Sequence, residues 1–390
     1  MIISLHQPHT LDVHNFSWPF REDSSLEKKL LRWIRFDDLS SFCQQAYMKA
    51  GVPDEEASIV ANLLAMSELR GIETHGVTRL PIYIQRLQKG YVRAECQLTY
   101  LKEKGPLTFA EAHGSMGHIV AYKAMERAIE KAVEYGIGWV SVKDSGHFGV
   151  AGLFSMMALQ NGFIGYVVSN SAPMMAPFGG RERIIGNNPM SYAFPTSAYP
   201  PVVVDFSCTV VASGKLILAR KKGEKIPLGW AVDREGMPTE DPYEGYEGGG
   251  SLSPMGAHKG YGLALAHEML TALLTDGKRT RDIKSLYEED KSGIQGTCHS
   301  FMALDPECFC GREAFKQSMD LYIKSIKESG KAKNVQEILM PGEPEFRTES
   351  EHLEKGILLA SNTVDELISL GQSLGISIRF IEKIIMGAGL

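Results

Sequence analysis

The sequence predicts an α/β fold whose sheet is at least partly parallel. From about residue 107, apolar runs of strand length alternate with amphipathic runs of helical length, a pattern typical of strand–helix–strand units. The segments on either side of this region have helical spacing. In addition, polar residues stand where three of the predicted strands end, which is where α/β sheets bind ligands.

Composition and charge narrow the classes of function. The chain has 390 residues, 44% of them hydrophobic, and a net charge of -6. These values allow two domains or one large α/β unit and predict no nucleic-acid partner. No apolar run approaches the ~20 residues that span a bilayer, so we expect no membrane association. Six cysteines without a secretion signal favour reduced thiols in the cytoplasm over a disulfide framework.

The chain is expected to begin with an N-terminal extension, residues 1–35, which is polar and irregular but carries several aromatic residues. Two helices follow it. The first is predicted to be capped by Asp37 or Asp38, and the second to end at Gly71. The segment "GIETHGVTR" (71–79) therefore lies just past a helix end.

The remaining elements follow from apolar spacing and from glycine and proline positions. Strands are predicted at 137–142, 163–170 and 201–207, and helices at 120–136, 151–162, 209–223 and from Asn362, with a loop at 339–346. We therefore expect three parts: the extension (1–35), a helical part formed by 36–106 together with 312–390, and an α/β domain at 107–311.

Familiar catalytic and nucleotide-binding motifs are missing. The sequence has no G-x-G-x-x-G, no Walker A loop, no G-x-S-x-G and no H-E-x-x-H. A standard Rossmann dehydrogenase, a P-loop enzyme and an α/β-hydrolase are thus all disfavoured. A dinucleotide-binding site in this chain would need a different phosphate-binding loop. No metal site is expected.

His147, in "DSGHFGVAG", is the strongest candidate for proton transfer. It follows the strand at 137–142, and nearby glycines would let a ligand approach the ring. Histidine titrates near neutrality, so a strand-end histidine suits proton exchange with a hydroxyl or carbonyl. A loop histidine satisfied by its own backbone is an equally acceptable interpretation of this segment alone.

Two cationic residues are candidates for binding anions. Arg79, close to His75 in "GIETHGVTR", could grip a carboxylate through its planar fork, or could be an ordinary surface arginine. Lys259, in "GAHKGYG", lies among small residues that would admit a phosphate or carboxamide, or it could be incidental to a glycine turn. None of these signals is specific by itself.

Seven blocks in order resemble one family, over about residues 35–375: "RGIETHGVTRL", "SGHFGVAG", "SNSAPMMAPFGG", "GNNPMSYAFP", "VVVDFSCT", "WAVDREGMPTEDP" and "HKGYGLA". The chain resembles the type-2 malate/L-lactate dehydrogenase family, which also includes sulfolactate and ureidoglycolate dehydrogenases and some cyclic imino-acid reductases. The resemblance implies a non-Rossmann NAD(P)-binding fold, with a mixed sheet covered by helices and a helical part from the N- and C-terminal segments. It also implies a homodimer.

The resemblance assigns roles to single residues. His147 would be the general acid/base, Arg79 would hold the substrate carboxylate, and His75 lies in the same motif. The cofactor, NAD with NADP as the alternative, would contact Ser171, Asp205, Phe206, Ser207 and Lys259. Thr74 stands where the family often has serine, which keeps the hydroxyl. His113 and His118 depart from the usual family residues, and we interpret both as structural.

The main hypothesis is a dehydrogenase that interconverts a 2-hydroxy acid and a 2-keto acid, with malate and oxaloacetate as the first choice. The alternatives are lactate, sulfolactate, ureidoglycolate or a cyclic imino acid as substrate. A hypothesis of another class is a non-catalytic nucleotide-binding protein, against which the presence of both His147 and Arg79 counts, since a pure binder needs no proton shuttle.

Overall fold

The computed structural model of this chain describes residues 32–288 and 294–377. The helices are α1 (Phe36–Lys49), α2 (Asp54–Leu69), α3 (Leu80–Gln88), α4 (Gly117–Tyr135), α5 (Ala151–Ser155), α6 (Ser213–Lys222), α7 (His258–Glu268), α8 (Arg312–Lys327), α9 (Glu343–Lys355) and α10 (Ser361–Leu374). The strands are β1 (Arg32–Ile34), β2 (Thr99–Lys104), β3 (Leu107–Glu111), β4 (Ile137–Ser145), β5 (Ile164–Ser169), β6 (Met190–Phe194), β7 (Val202–Phe206), β8 (Ala231–Val232), β9 (Pro238–Thr239), β10 (Ser251–Leu252), β11 (Thr297–Leu304) and β12 (Ile357–Leu359).

A seven-stranded mixed sheet forms the centre of the molecule, in the order β2-β3-β4-β11-β5-β6-β7. Within it only β3 and β4 are parallel neighbours, and every other adjacent pair is antiparallel. Because β11 is antiparallel to both β4 and β5, and β6 is antiparallel to both β5 and β7, the strands β4, β5 and β7 run in the same direction. Their carboxyl ends therefore meet at one edge of the sheet, as the strand-end residues led us to expect.

Helices cover both faces of this sheet. On one face α4 and α5 bury an apolar cluster that includes Phe154, Val167 and Phe301. On the other face an aromatic cluster around Tyr166 and Tyr192 continues to the segment after α7, where the Ser300 hydroxyl donates to the Leu270 carbonyl. Burial on both faces explains the near-continuous apolar runs of β4 and β5 in the sequence.

The N- and C-terminal segments pack together into a helical part. Its core joins α1, α2 and α3 with β1, β12 and α10, and Tyr47 and Phe42 are its largest fully buried side chains. β1 pairs with β12 in register, and α9 is tied to α2 by an ion pair between Arg70 and Glu349. The predicted α/β fold class with an added helical part is confirmed. The division into 36–106 with 312–390, and 107–311, stays a prediction.

Some local predictions were wrong at helix and strand boundaries. Residues 32–34, near the end of the predicted extension, form β1, which pairs with a strand more than 300 residues later. Residues 1–31 of the extension lie outside the described residues. Asp37 and Asp38 lie in the first turn of α1 and do not cap it. The 339–346 segment contains the start of α9, since Pro344 occupies the first turn, where a helix tolerates proline.

The described residues include neither a membrane-spanning helix nor a cluster of metal ligands. No helix in ranges 32–288 and 294–377 is long and apolar enough to span a bilayer. In the same ranges no group of three histidine, cysteine or acidic side chains is arranged to hold a metal ion. All six cysteines fall within these ranges, and each is a free thiol.

Candidate active site

The "GIETHGVTR" segment forms two short 3-10 turns, Glu73–His75 and Val77–Arg79, that run directly into α3. The carboxylate of Glu68, on α2, is buried beneath them and accepts a hydrogen bond from the Val77 N–H at 2.8 Å. Burial raises the pKa of this carboxyl to about 8. Gly76 is required here because a Cβ at this position would lie 2.1 Å from Glu68 Oε1.

Replacing Gly76 with alanine should therefore destabilise the protein by about 1–3 kcal/mol, as overpacking of a dense site does, and should lower activity by displacing Arg79. Urea unfolding checks the first effect and steady-state kinetics the second. Gly330→Ala is the control, since a Cβ at that exposed position has no neighbour within 4 Å. Equal stability of the two variants would show that the Glu68 carboxylate can move aside.

His147 lies just beyond the end of β4 and faces α3. Its Nδ1 is 2.7 Å from the hydroxyl of Tyr83, and its backbone N–H donates to Gln295 Oε1 at 3.0 Å. The ring of His75 is stacked on it, with 5.6 Å between centroids. The Nε2 of His147 is thus the nitrogen left for a ligand, and Tyr83 fixes the orientation of the ring.

Arg79 lies beside these rings, one helical turn before Tyr83. Its Nε donates to the Thr74 carbonyl at 2.8 Å, and its guanidinium lies 5.6 Å from the ring centre of Tyr287. No carboxylate among the described residues forms an ion pair with Arg79, so its Nη groups can take a carboxylate ligand. The structure therefore brings His75, Arg79 and His147 together.

The electrostatics of this cluster favour a neutral His147. Burial lowers the pKa of His147 well below its usual value, and the neighbouring imidazoles of His75 and His118 and the Arg79 guanidinium lower it further. Burial, followed by the charge of Arg79, lowers the pKa of His75 to about 4. A neutral imidazole can accept a proton at neutral pH, and the charge of Arg79 suits an anionic substrate.

Three further residues support His147 and were missed in the sequence. Tyr83 had a signal, because it lies four residues after Arg79 and shares its helix face. Gln295 and His299 had no signal in the sequence, since they come from a distant part of the chain. His299 is fully buried, with Nε2 3.2 Å from the Gly146 carbonyl and Nδ1 2.8 Å from the Ser169 hydroxyl. His118, which we interpreted as structural, also lies beside His147, with 6.4 Å between ring centroids.

The residues expected to bind the cofactor gather at the ends of β5 and β7. Asn187 joins Ser171 to this edge: its Oδ1 accepts from the Ser171 hydroxyl at 2.7 Å, and its carbonyl accepts from the Cys208 N–H at 2.7 Å. The Cys208 carbonyl in turn accepts from Met255 N–H, which fixes the start of α7 and hence Lys259. The structure thus brings Ser171, Ser207 and Lys259 to one edge of the sheet.

Asp205 and Phe206 have local structural contacts. The Asp205 carboxylate accepts from the Gly152 N–H at 2.7 Å, which ties the start of α5, and so the His147 loop, to β7. Phe206 packs against the aromatic cluster on the far face of the sheet. The Ser207 hydroxyl contacts Thr209 at 3.1 Å. Of the predicted cofactor residues, Asp205 and Lys259 are exposed. Lys259 forms no ion pair with a described residue.

This edge has features that fit a nicotinamide dinucleotide. Lys259 presents a cation at the first turn of α7, where the helix N-terminus also favours anions. Gly260 allows close packing, since a Cβ there would lie 2.3 Å from the Met255 carbonyl oxygen. Ala257 has a φ of 57°, a left-handed conformation that is costly for alanine. A phosphate-bearing ligand would find both charge and close backbone approach at this place.

Comparison with known proteins identifies the family of this chain. The model of the malate/L-lactate dehydrogenase family matches residues 34–368. The chain belongs to this family. It is 39% identical to a malate dehydrogenase of Pyrococcus abyssi over 347 residues, 87% of this chain and 94% of the relative. A (2R)-3-sulfolactate dehydrogenase (NADP(+)) of Chromohalobacter salexigens is 34% identical, covering 86% of this chain and 97% of that protein.

The solved structures give the same result. The fold matches the sulfolactate dehydrogenase of Methanocaldococcus jannaschii with a TM-score of 0.83 and 34% identity, over 90% of this chain and 99% of that one. The protein is therefore an oxidoreductase of the malate/sulfolactate type that acts on a CH–OH group and uses a nicotinamide cofactor. The expected family and fold class are confirmed.

Proposed function

We propose that this protein interconverts malate and oxaloacetate, with NAD as cofactor and NADP as the alternative. The observation that supports it best is the convergence of Arg79, His75 and a neutral His147 in one cluster of side chains. Arg79 suits a carboxylate, and His147 suits the proton of the adjacent hydroxyl. The name of the Pyrococcus abyssi relative supports malate as the first substrate to test.

Each residue has a role that follows from its contacts. Arg79 binds the C1 carboxylate of the substrate through its Nη groups, and the ring of His75 is stacked on that of His147 beside it. His147 accepts the C2 hydroxyl proton at Nε2. For this to happen its Nδ1 carries the other hydrogen and donates it to the Tyr83 oxygen. A bound nicotinamide ring supplies the acceptor for the substrate hydride, and Ser171, Asp205, Phe206, Ser207 and Lys259 are the proposed cofactor residues.

The lowered pKa of His147 predicts opposite pH dependences for the two directions. Oxidation needs the neutral imidazole, so kcat/KM for malate should be flat between pH 6 and 8. Reduction needs the protonated imidazole, whose fraction falls about tenfold per pH unit above the pKa, so kcat/KM for oxaloacetate should fall as pH rises. Initial rates over this range check it. A malate profile that rises through a midpoint near 7 would contradict the lowered pKa.

The direct test is a turnover assay that follows nicotinamide absorbance. NADH and NADPH are offered separately with oxaloacetate, pyruvate, sulfopyruvate and a cyclic imine. Fast turnover of oxaloacetate supports the proposal and identifies the cofactor. Turnover of another compound alone replaces the substrate and keeps the mechanism. Cofactor binding without turnover of any compound supports the non-catalytic alternative.

We further propose a cytoplasmic homodimer. Free thiols at all six cysteines suit a reducing compartment. Four large apolar side chains that follow α7 are solvent-exposed in the single chain, as expected of a surface that another subunit covers: Met269, Leu270, Leu273 and Leu274. Light scattering of the purified protein measures the mass, and a monomer at micromolar concentration would contradict the dimer.

A further inference from the structure

His118 has no structural partner that accounts for its burial. Only 2% of the residue is exposed, and neither ring nitrogen forms a hydrogen bond with a described residue. A buried polar group without a partner costs about 1–3 kcal/mol. The neighbouring Tyr83 does not supply a hydrogen bond to His118. Its ring approaches that of His118 edge-on, with 4.9 Å between centroids, and its hydroxyl is bonded to His147.

The side chain lies on the wall of a small cavity next to His147. The cavity has a volume of ≈ 20 Å³, and its polar lining includes Tyr83, Arg86, His118, His147 and Gln295. This is about one to two water-sized positions, which is the space that the oxygens of a small acid group need. Gln295 is already engaged with the His147 N–H and the Lys284 carbonyl. Arg86 donates to the Leu286 and Glu288 carbonyls. His118 is therefore the wall residue that has both ring nitrogens without a hydrogen bond to a described residue.

The position of the cavity relative to Arg79 and His147 indicates which part of the substrate would lie nearest to it. Arg79, Tyr83 and Arg86 are spaced four and three residues apart, so they follow one another along the same face of α3. His147 is bonded to Tyr83, in the middle of this row. Arg79 is at one end and does not line the cavity, whereas Arg86, at the other end, does. A substrate held at C1 by Arg79 and at its C2 oxygen by His147 thus extends its C3 substituent toward the cavity.

We propose that His118 is a specificity-determining residue that hydrogen-bonds the acidic group on C3 of the substrate, a carboxylate or a sulfonate. This inference rests on the proposed function. The ring centroids of His118 and His147 are 6.4 Å apart, and both side chains line the same cavity. A lactate-like substrate, with a methyl group at C3, leaves the His118 N–H without a partner.

The test compares His118→Leu, His118→Gln and His113→Asn with the wild type. Leucine removes the donor from a buried site where it had no protein partner, so we expect no loss of folding stability. Glutamine keeps an N–H donor. His113 is outside the cavity and has a φ of 50°, which asparagine tolerates, so it serves as the control. Rates are measured with NADH or NADPH and oxaloacetate, sulfopyruvate or pyruvate, and thermal unfolding checks the fold.

His118→Leu should lower kcat/KM for oxaloacetate or sulfopyruvate about 10- to 100-fold, the value of a hydrogen bond to a charged group, and leave kcat/KM for pyruvate almost unchanged. His118→Gln should recover most of the loss. If His118→Leu lowers kcat/KM more for oxaloacetate, His118 binds a carboxylate on C3; if more for sulfopyruvate, it binds a sulfonate. An equal fall for all three acids would mean that His118 acts through Tyr83 or His147, and no change would mean that it does not touch the substrate. Either result overturns the inference and leaves the proposed function intact.

If the wild type turns over none of these acids, the proposed function fails and the inference is tested by binding alone. Calorimetry then measures malate, sulfolactate and lactate binding to the protein loaded with NAD⁺. A wild-type preference for an acidic C3 group that His118→Leu abolishes supports the role of His118. Absence of that preference, or its persistence in the leucine variant, overturns it.

Discussion

Replacing His147 with asparagine is expected to lower kcat by about 100- to 10,000-fold, the range that a positioned general acid/base contributes. Asparagine places an amide near the position of the imidazole Nδ1, so the contact with Tyr83, now 2.7 Å from that nitrogen, can persist. It removes the Nε2 that we expect to carry the proton. Steady-state kinetics in both directions measures the loss.

Two further measurements separate catalysis from folding in this variant. NADH binding, followed by fluorescence, should change less than about threefold, because the proposed cofactor residues lie at the ends of β5 and β7. His113→Asn is the matched control, since it makes the same chemical change outside the pocket. A His147→Asn enzyme that retains more than a tenth of the wild-type kcat would remove His147 from the proton-transfer step.

Replacing Arg79 with methionine should lower kcat/KM about 30- to 1,000-fold, because loss of a desolvated charge partner costs ~2–4 kcal/mol. Most of the change should be in KM, since the C1 carboxylate is bound in the ground state as well as in the transition state. Lysine at the same position should recover only part of the loss, because an ammonium group cannot form the bidentate contact. Kinetics of all three enzymes with the same 2-keto acid checks this order.

The control for Arg79 is Arg127→Met. Arg127 is a surface residue paired with Glu103 and Glu130, and surface ion pairs contribute about 0–1 kcal/mol. Its loss should leave kcat/KM unchanged. If Arg79→Met and Arg127→Met behaved alike, the substrate carboxylate would have to be bound by another residue, and the role of "GIETHGVTR" would be structural.

The sequence predicts those parts of the fold and the site that depend on local spacing. Helix and strand positions followed from apolar periodicity, and the strand-end positions of His147 and Ser171 followed from the alternation of strands with helices. The matching direction of β4, β5 and β7 then brings these ends together. His75 and Arg79 were found because a compact motif carries both of them.

The remaining features depend on pairings that local spacing does not encode. The alternating pattern indicated a sheet that is at least partly parallel, but it did not show that β11 inserts between β4 and β5 in the opposite direction. That insertion is what places His299 against the Gly146 carbonyl and Gln295 against His147. His118 was interpreted as structural because its helix gives no sign of what lies opposite its first turn. Only the packing of α4 against the His147 loop shows that His118 lies beside His147.

The position of β11 also has a consequence for synthesis of the chain. β4 and β5 each pair with β11 along most of their length, yet β11 is made about 130 residues after β5. Until residue 304 has left the ribosome, the two halves of the sheet expose unpaired strand edges, which favour association with other chains. A nascent or truncated chain that lacks 297–304 should therefore depend on chaperones.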